Sequence, residues 1–483
     1  MGDWAPRIAL ETVLAELTSA LERQPDSIDA RFARASILSQ LGRTAEAEIA
    51  YRDVLARDPD HYGALTRLGV ALRRSGSWTE ARATFERAVR AHPQDAAARV
   101  NLANLLALTD TREAQQHYEA ALRFQPDLAE AHQGLSALLA LLGDEEGAAR
   151  HRQAGFAGRA IHARRYVGTT TPTPAILLSA TVGGNLDPSA LLDEHVFLVH
   201  EVFADAYDPS LPLPPHRLIV NGIADADRAT AALSATSSIL ERTTAPVLNR
   251  PAAVSRTTRL EISRRFAHVS RLVTARTALL PRATLEGEAA QDALRAAGFR
   301  YPLLLRSPGH HIGQHFVKLD SPQQLPHAVR SLPGPHLYVI EYLDVRSRDG
   351  NFRKYRVFVI DGTLYPAHLA VSSDWKVHYF SSRMAESQEY RDEEARFLDA
   401  MPAALGEGAM QALGIVAREL GLEYAGIDFA LSPEGGVVLF EANAAMTVYA
   451  PPAGERWAYR NRPTQRIKDA LRAMAMRYCT PAT

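Results

Sequence analysis

Two carboxylates and an amide stand out late in the chain because almost everything around them is apolar. Asp428 lies within Tyr-Ala-Gly-Ile-Asp-Phe-Ala-Leu (424–431), and Glu441 and Asn443 close Val-Val-Leu-Phe-Glu-Ala-Asn (437–443). The intervening Ser-Pro-Glu-Gly-Gly reads as the turn of a hairpin. Residues two apart on a strand face one side, so Glu441 and Asn443 point together. Acids in apolar strands are costly without a cation. Two carboxylates and an amide oxygen make a hard-oxygen set suited to Mg²⁺, which also bridges phosphates. A satisfied core pair is the blander alternative.

Three earlier segments carry complementary chemistry. In Tyr301-Pro-Leu-Leu-Leu-Arg306-Ser-Pro-Gly309-His-His311-Ile-Gly313, an apolar strand ends in a cation and a glycine-bearing loop. Glycine allows close backbone approach, and free N–H groups beside a cation suit polyphosphate. Leu337-Tyr-Val-Ile-Glu341-Tyr342-Leu343-Asp344 is a strand closing in alternating acids. In Asn351-Phe-Arg353-Lys354-Tyr-Arg356-Val-Phe-Val-Ile-Asp361-Gly362, Lys354 and Arg356 share a strand face, and Asp361-Gly362 is a hairpin turn. Two cations on one face suit an anion, although a solvated sheet face explains them too. His368, Trp375, Lys376, His378 and Arg383 follow in a loop-rich stretch where an acceptor or carboxylate substrate would be met; aromatic packing explains Trp375 equally well.

These residues need a scaffold of strands and turns. Ala175-Ile-Leu-Leu-Ser-Ala, His195-Val-Phe-Leu-Val-His and His216-Arg-Leu-Ile-Val-Asn are short apolar runs, with a helix expected over 226–242. Strands alternating with helices predict a small parallel α/β unit. Val182-Gly-Gly is a turn. After Asn249-Arg250-Pro251 a long helical stretch is expected to about 277, and Pro281-Arg282-Ala-Thr opens the next strand-rich block.

The first third repeats. Pro25, Pro59, Pro93 and Pro126 recur at spacings of 34, 34 and 33, each after a helix-like stretch. Proline cannot continue a helix and starts the turn into the next unit. Ala47, Ala81, Ala114 and Ala148 keep nearly the same period. The clearest copy, 62–95, has Leu65, Leu68, Gly69 and Leu72, then Ala81, Phe85, Ala88 and Pro93, and resembles a tetratricopeptide repeat. The copy at 129–160 places Arg152 where an aromatic would sit, as a degenerate end unit does. Such repeats offer a concave face to a peptide or protein segment. Asn101 and Asn104, three apart on one helix, are candidates to hold its backbone, with ordinary solvation the simpler reading.

Taken in order, the motifs from about 175 to 475 resemble an ATP-grasp enzyme with its preceding α/β domain, as in glutathione synthetase, D-alanine–D-alanine ligase and ribosomal-protein glutamate ligase. The implied architecture is multidomain: an all-α tetratricopeptide-repeat solenoid (1–160), a linker (161–174), an α/β pre-ATP-grasp domain (175–250) and an α+β ATP-grasp domain (251–483). The resemblance implies roles. Arg306 takes the place of a lysine touching the α-phosphate and adenine, a planar fork in place of a point charge. Gly309, His311 and Gly313 belong to the loop over the β- and γ-phosphates. Glu341, Tyr342 and Leu343 form the strand beside adenine, and Asp344 the acid near the ribose. Arg356, with Lys354 beside it, meets the γ-phosphate and the developing acyl phosphate; Asp428, Glu441 and Asn443 hold the metal. Arg282 and Arg264-Arg265 are candidates for an earlier phosphate cation. ATP and Mg²⁺, or Mn²⁺ in its place, are the implied cofactors, and the implied reaction is amide formation through an acyl phosphate. A phosphotransferase and a non-catalytic repeat scaffold are the competing readings.

Composition sets limits. With 483 residues, two or three domains are expected. The charge balance, 54 basic against 55 acidic residues, lacks the excess that nucleic acid or an acidic membrane selects. The lone Cys479 excludes an intrachain disulfide and a thiolate metal site, and fits a reducing cytoplasm. No secretory signal or spanning segment is expected. The partner expected is a peptide or protein held by the repeats, with homo-oligomerisation left open.

Overall fold

A computed structural model gives the fold and describes residues 5–107, 109–310, 313–377, 382–452 and 454–479. The chain divides into two compact units. One comprises Met1–Ala140, Asp144–Thr173 and Glu194–Leu198; the other comprises Leu141–Gly143, Pro174–Asp193 and Val199–Thr483.

The first unit is built from antiparallel helix pairs. The helices are α1 (Ala5–Arg23), α2 (Ile28–Gln40), α3 (Thr44–Arg57), α4 (Tyr62–Arg74), α5 (Trp78–Ala91), α6 (Ala96–Leu106), α7 (Thr111–Phe124), α8 (Ala129–Leu142) and α9 (Glu145–Phe156). Each periodic proline stands two residues beyond a helix end: Pro25 after Arg23, Pro59 after Arg57, Pro93 after Ala91 and Pro126 after Phe124. Ser27, Asp95, Asp110 and Asp144 cap helices by accepting from backbone N–H groups of the following turn. Within a pair, Gly42 and Gly76 take left-handed φ of 77° and 82° to reverse the chain.

The seams explain the repeated small residues. Ala47, Ala81, Ala114 and Ala148 are 0–1% exposed, so the helices close on them. Tyr51, Phe85 and Tyr118 are buried knobs at the matching place in successive pairs. The Phe85 ring fills the space above Gly69, where an added Cβ would stand 2.5 Å from a ring carbon. After α9 comes a short strand, β1 (Ile161–Ala163).

The second unit holds three sheets. In the first, β2 (Thr173–Ser179), β4 (Leu218–Asn221) and β5 (Val247–Leu248) run parallel, with β3 (Phe197–Phe203) beside β2. The expected parallel α/β pattern is present, with helix Thr230–Leu240 between β4 and β5. Beyond Pro251 the expected long helix is replaced by short pieces, Pro251–Val254 and Arg259–Arg265, and then by β6 (Leu272–Thr274). Thr258, with an extended ψ of 152°, interrupts the helix and caps the second piece by accepting from the Glu261 N–H, and Arg271, with φ of 60°, turns the chain into β6.

The second sheet has the order β7 (Thr277–Pro281), β10 (His336–Glu341), β8 (Leu303–Arg306), β9 (Phe316–Leu319), with antiparallel neighbours. The third has the order β12 (Thr363–Ser372), β11 (Phe352–Ile360), β13 (Tyr424–Leu431), β14 (Val437–Asn443), β6. Asp361 and Gly362, both at positive φ, make the β11–β12 turn. Helix Glu407–Leu420 buries Ala409, Ala412, Leu413, Val416, Ala417 and Leu420 as one apolar stripe.

Candidate active-site cleft

Register gathers the third sheet's charges into one row. Arg356 on β11 lies opposite His368 on β12 and opposite Asp428 on β13, and Asp428 lies opposite Glu441 on β14. Residues directly opposite share a sheet face, so four strands contribute to a single line of polar groups. The Arg356 guanidinium grips both oxygens of Asp428, Nε to Oδ1 at 2.6 Å and Nη2 to Oδ2 at 2.7 Å. Lys354, two residues back on the same face, adds a 3.1 Å ion pair to Oδ2. Burial opposes ionisation of Asp428, but Arg356 and Lys354 overcome it and hold its carboxyl far below the usual range. His368 is buried, not in a loop; burial and the Arg356 charge push its pKa well below the ordinary value.

At the other end of the row, Asn443 donates from Nδ2 to Glu441 Oε1 at 2.8 Å, and its Oδ1 accepts from the Ala445 N–H. Glu441 Oε2 pairs with Arg259 Nη2 at 3.1 Å. A cleft there is lined by Asp225, Asp227, Arg259, Arg306, Glu441 and Asn443, with Gly309 and His310 at its edge. Asp227 accepts from the Tyr338 hydroxyl and, at 3.3 Å, from the Arg259 backbone. Arg306 donates to the His310 carbonyl at 2.5 Å and lies over the Phe316 ring, 5.3 Å from its centre. Burial and the neighbouring Arg259 push the Arg306 pKa down to about 10. Cations and acids are interleaved, and the free space is about 30 Å³, room for water but not for a nucleotide.

Several expected residues converge. Arg306 and Gly309 meet Glu441 and Asn443 at the cleft. Gly309 and Gly313 take left-handed φ of 71° and 74° in the β8–β9 connection. Tyr342, Trp375 and Phe316 pack edge to face beside Leu304, Tyr338 and Ile340, so Trp375 is part of an aromatic wall. The Glu341 N–H is occupied by the Arg276 carbonyl at 2.9 Å. Leu343 packs toward Val345 and Phe352. Asp344 is exposed and held by Arg346, whose hydrogen bonds lower its pKa. Arg383 is exposed, 3.7 Å from Glu386. His311 and His378 lie outside the described residues.

Neither predicted candidate for the earlier phosphate cation lines the cleft. Arg282 donates to the carbonyls of Val329, Leu332 and Gly334, tying down a helix end. Arg264 and Arg265 belong to the helix that starts at Arg259. Arg259, at the start of that helix, is the residue that reaches Glu441, and the expectation of one uninterrupted helix hides it. Asp225 and Asp227 escape sequence reading because their acids sit in a turn whose return to the cleft is a tertiary event. In the repeats, Asn104 is engaged as acceptor for the Tyr118 hydroxyl at 2.5 Å.

The donor set suits a hard divalent cation in type, with carboxylates of Asp428 and Glu441 opposite one another and the amide of Asn443 alongside. Among the described residues no group of three His, Cys, Asp or Glu gathers around a metal-sized point, so the amide would have to be the third ligand.

The profile of the tetratricopeptide-repeat family matches residues 14–62, 32–96 and 66–109. The N-terminal region carries tetratricopeptide repeats. Similar solved structures include MamA 41-end from Desulfovibrio magneticus RS-1, at 22% identity over 32% of this chain and 96% of that one, with a TM-score of 0.29. YrrB, titled a TPR protein with an unusual peptide-binding site, is 21% identical over 32% of this chain and 79% of that one, with a TM-score of 0.28. TTC0263, a thermophilic TPR protein from Thermus thermophilus, is 22% identical over 32% of this chain and 87% of that one, with a TM-score of 0.27. No curated protein matches the chain. Among the described residues no helix is long and apolar enough to cross a membrane.

Proposed function

We propose that the second unit is an ATP-dependent carboxylate–amine ligase of the ATP-grasp type, acting on a peptide or protein that the tetratricopeptide repeats recruit. The observation that carries this reading is the in-register row His368–Arg356–Asp428–Glu441, with Glu441 lining the same cleft as Arg259, Arg306 and Gly309.

When bound, Mg²⁺ would supply charge neutralisation at the β- and γ-phosphates, held by Asp428, Glu441 and Asn443. Arg306 and Arg259 would bind phosphate oxygens, with the Gly309 backbone beside them. Arg356 would stabilise the charge that develops as a substrate carboxylate attacks and again as an amine displaces phosphate. Glu441 and Asp428 are engaged by cations in the resting protein, so nucleotide entry exchanges partners as well as opening the cleft.

ADP release from Mg²⁺-ATP with a peptide-rich extract, with hydroxylamine as the trap, tests the reading. A hydroxamate that disappears in Glu441→Gln supports the ligase. Turnover without hydroxamate moves the assignment to a phosphotransferase. Absence of nucleotide binding leaves the reading favoured by the family match, a repeat scaffold that binds a protein partner without catalysis.

A further inference from the structure

We infer that the groove along α4 in the repeat unit binds an extended protein segment carrying two carboxylates three residues apart. The inference rests on the repeats as a peptide-binding surface and needs no ATP chemistry.

The groove encloses about 730 Å³, and its lining includes Phe32, Arg67, Val70, Ala71 and Arg74. Arg67 and Arg74 are seven residues apart on α4, two turns, so both point into the groove from one face. Both are exposed, and neither makes a salt bridge among the described residues. Their neighbours differ: Arg52 spans Glu48 and Glu80, and Arg82 reaches Glu86 and Glu113. Arg52 and Arg82 are thus already engaged, whereas Arg67 and Arg74 are available to a ligand.

Spacing narrows the ligand. Seven helical residues span about 10.5 Å. In a polyproline-type segment, residues three apart lie on the same side about 9.3 Å apart. Two such carboxylates would meet the two guanidinium groups, and an apolar residue between them would lie on Val70 and Ala71. Gly63 shapes the entrance: a Cβ there would stand 2.4 Å from the Phe32 ring, so its absence lets the ring form the wall.

The other end has the opposite sign. Asp58 and Asp60 line the turn before α4, Asp60 facing Arg87 at 3.7 Å. His61 and His92 are turned to backbone, His61 Nδ1 accepting from the Ala64 N–H and His92 Nε2 against the Asp60 carbonyl. A uniformly acidic strand would be repelled there, so the carboxylates belong over the stretch from Arg67 to Arg74.

The test uses the full chain without nucleotide and an acetylated, dye-labelled nonapeptide containing Glu-Pro-Leu-Glu, read by fluorescence anisotropy at low salt. Comparators carry Gln-Pro-Leu-Gln or adjacent glutamates. Exposed ion pairs are individually weak, so the expected preference for Glu-Pro-Leu-Glu is about tenfold, abolished in Arg67→Gln/Arg74→Gln with unchanged circular dichroism. Equal binding of glutamate and glutamine peptides, binding unaffected by the double variant, or no peptide binding overturns the inference. So does self-association of the chain that the double variant abolishes, because a second copy would then be the occupant. Success or failure here is independent of whether Glu441→Gln abolishes hydroxamate formation.

Discussion

Arg356 and Asp428 face each other across adjacent strands, and one guanidinium satisfies both oxygens of a carboxylate that is 5% exposed. Lys354 makes this a two-to-one arrangement in favour of positive charge. Under the proposed function, that local excess is where a phosphate or substrate carboxylate would sit. Removing Asp428 would leave two nearly buried cations without a counter-charge. Asp428→Asn should lower stability by about 3–5 kcal/mol, measured by urea unfolding. A loss under about 1 kcal/mol would mean that water reaches the cations.

His368 predicts a pH dependence with a definite sign. Burial and Arg356 lower its folded-state pKa, so on acidification the unfolded chain takes up the proton first. Its contribution is complete above about pH 6.5. It is lost as pH falls below that, at up to about 1.4 kcal/mol per pH unit. Asp428 is also depressed, but its loss begins only below about pH 4, so the windows separate. Comparing urea midpoints of wild type and His368→Gln at pH 7.5, 6 and 5 checks this. The variant should show the shallower slope, and parallel slopes would contradict the assignment.

Glu394 and Arg460 form a second buried pair, 0% and 5% exposed at the side chain, with Arg460 Nη2 2.5 Å from Glu394 Oε2. The Tyr459 hydroxyl also donates to that oxygen. Arg460→Met should cost about 3–5 kcal/mol because a buried acid loses its counter-charge, and the double variant Glu394→Leu/Arg460→Met should recover most of it. Thermal unfolding of wild type and the two variants reads the difference. Equal losses in the single and double variants would assign the cost to packing.

Two glycine-to-alanine substitutions should have opposite signs. At Gly69 the new Cβ meets the Phe85 ring at 2.5 Å, and Phe85 is fully buried. The overpacking should outweigh the helix preference for alanine and destabilise by about 1–3 kcal/mol. At Gly414, inside helix Glu407–Leu420, the nearest atom is the end of the Arg418 side chain at 3.6 Å. There alanine should stabilise by about 0.5–1 kcal/mol. Chemical denaturation midpoints of both variants decide the matter.

The repeats are readable in sequence because their signals are local and periodic: the prolines, alanines and aromatics each act on a neighbour within one unit. The strands of the third sheet are readable because Asp428, Glu441 and Asn443 interrupt apolar runs. Register is not. Nothing in the sequence states that Arg356 lies opposite both His368 and Asp428, because hydrogen-bond pairing between strands 72 residues apart is a tertiary outcome. Arg259, Asp225 and Asp227 escape for the same reason. Sequence reading puts His368 in a loop-rich stretch, whereas it lies in the strand Thr-Leu-Tyr-Pro-Ala-His-Leu-Ala-Val-Ser, whose proline would ordinarily interrupt a ladder. Beside Pro366 the β11–β12 register shifts, between Arg356 and Val357. The irregularity accommodates the proline and leaves His368 opposite Arg356.

The punctuation of the repeats has a consequence for descent. Pro25, Pro59 and Pro93 each fall two residues past a helix end at intervals of 34, and the Gly69–Phe85 knob closes within a single unit. A duplication or deletion of one such interval would carry its own start, stop and interlock, and would rejoin the same kind of seam on either side. The groove can therefore lengthen or shorten by inheritance of whole units.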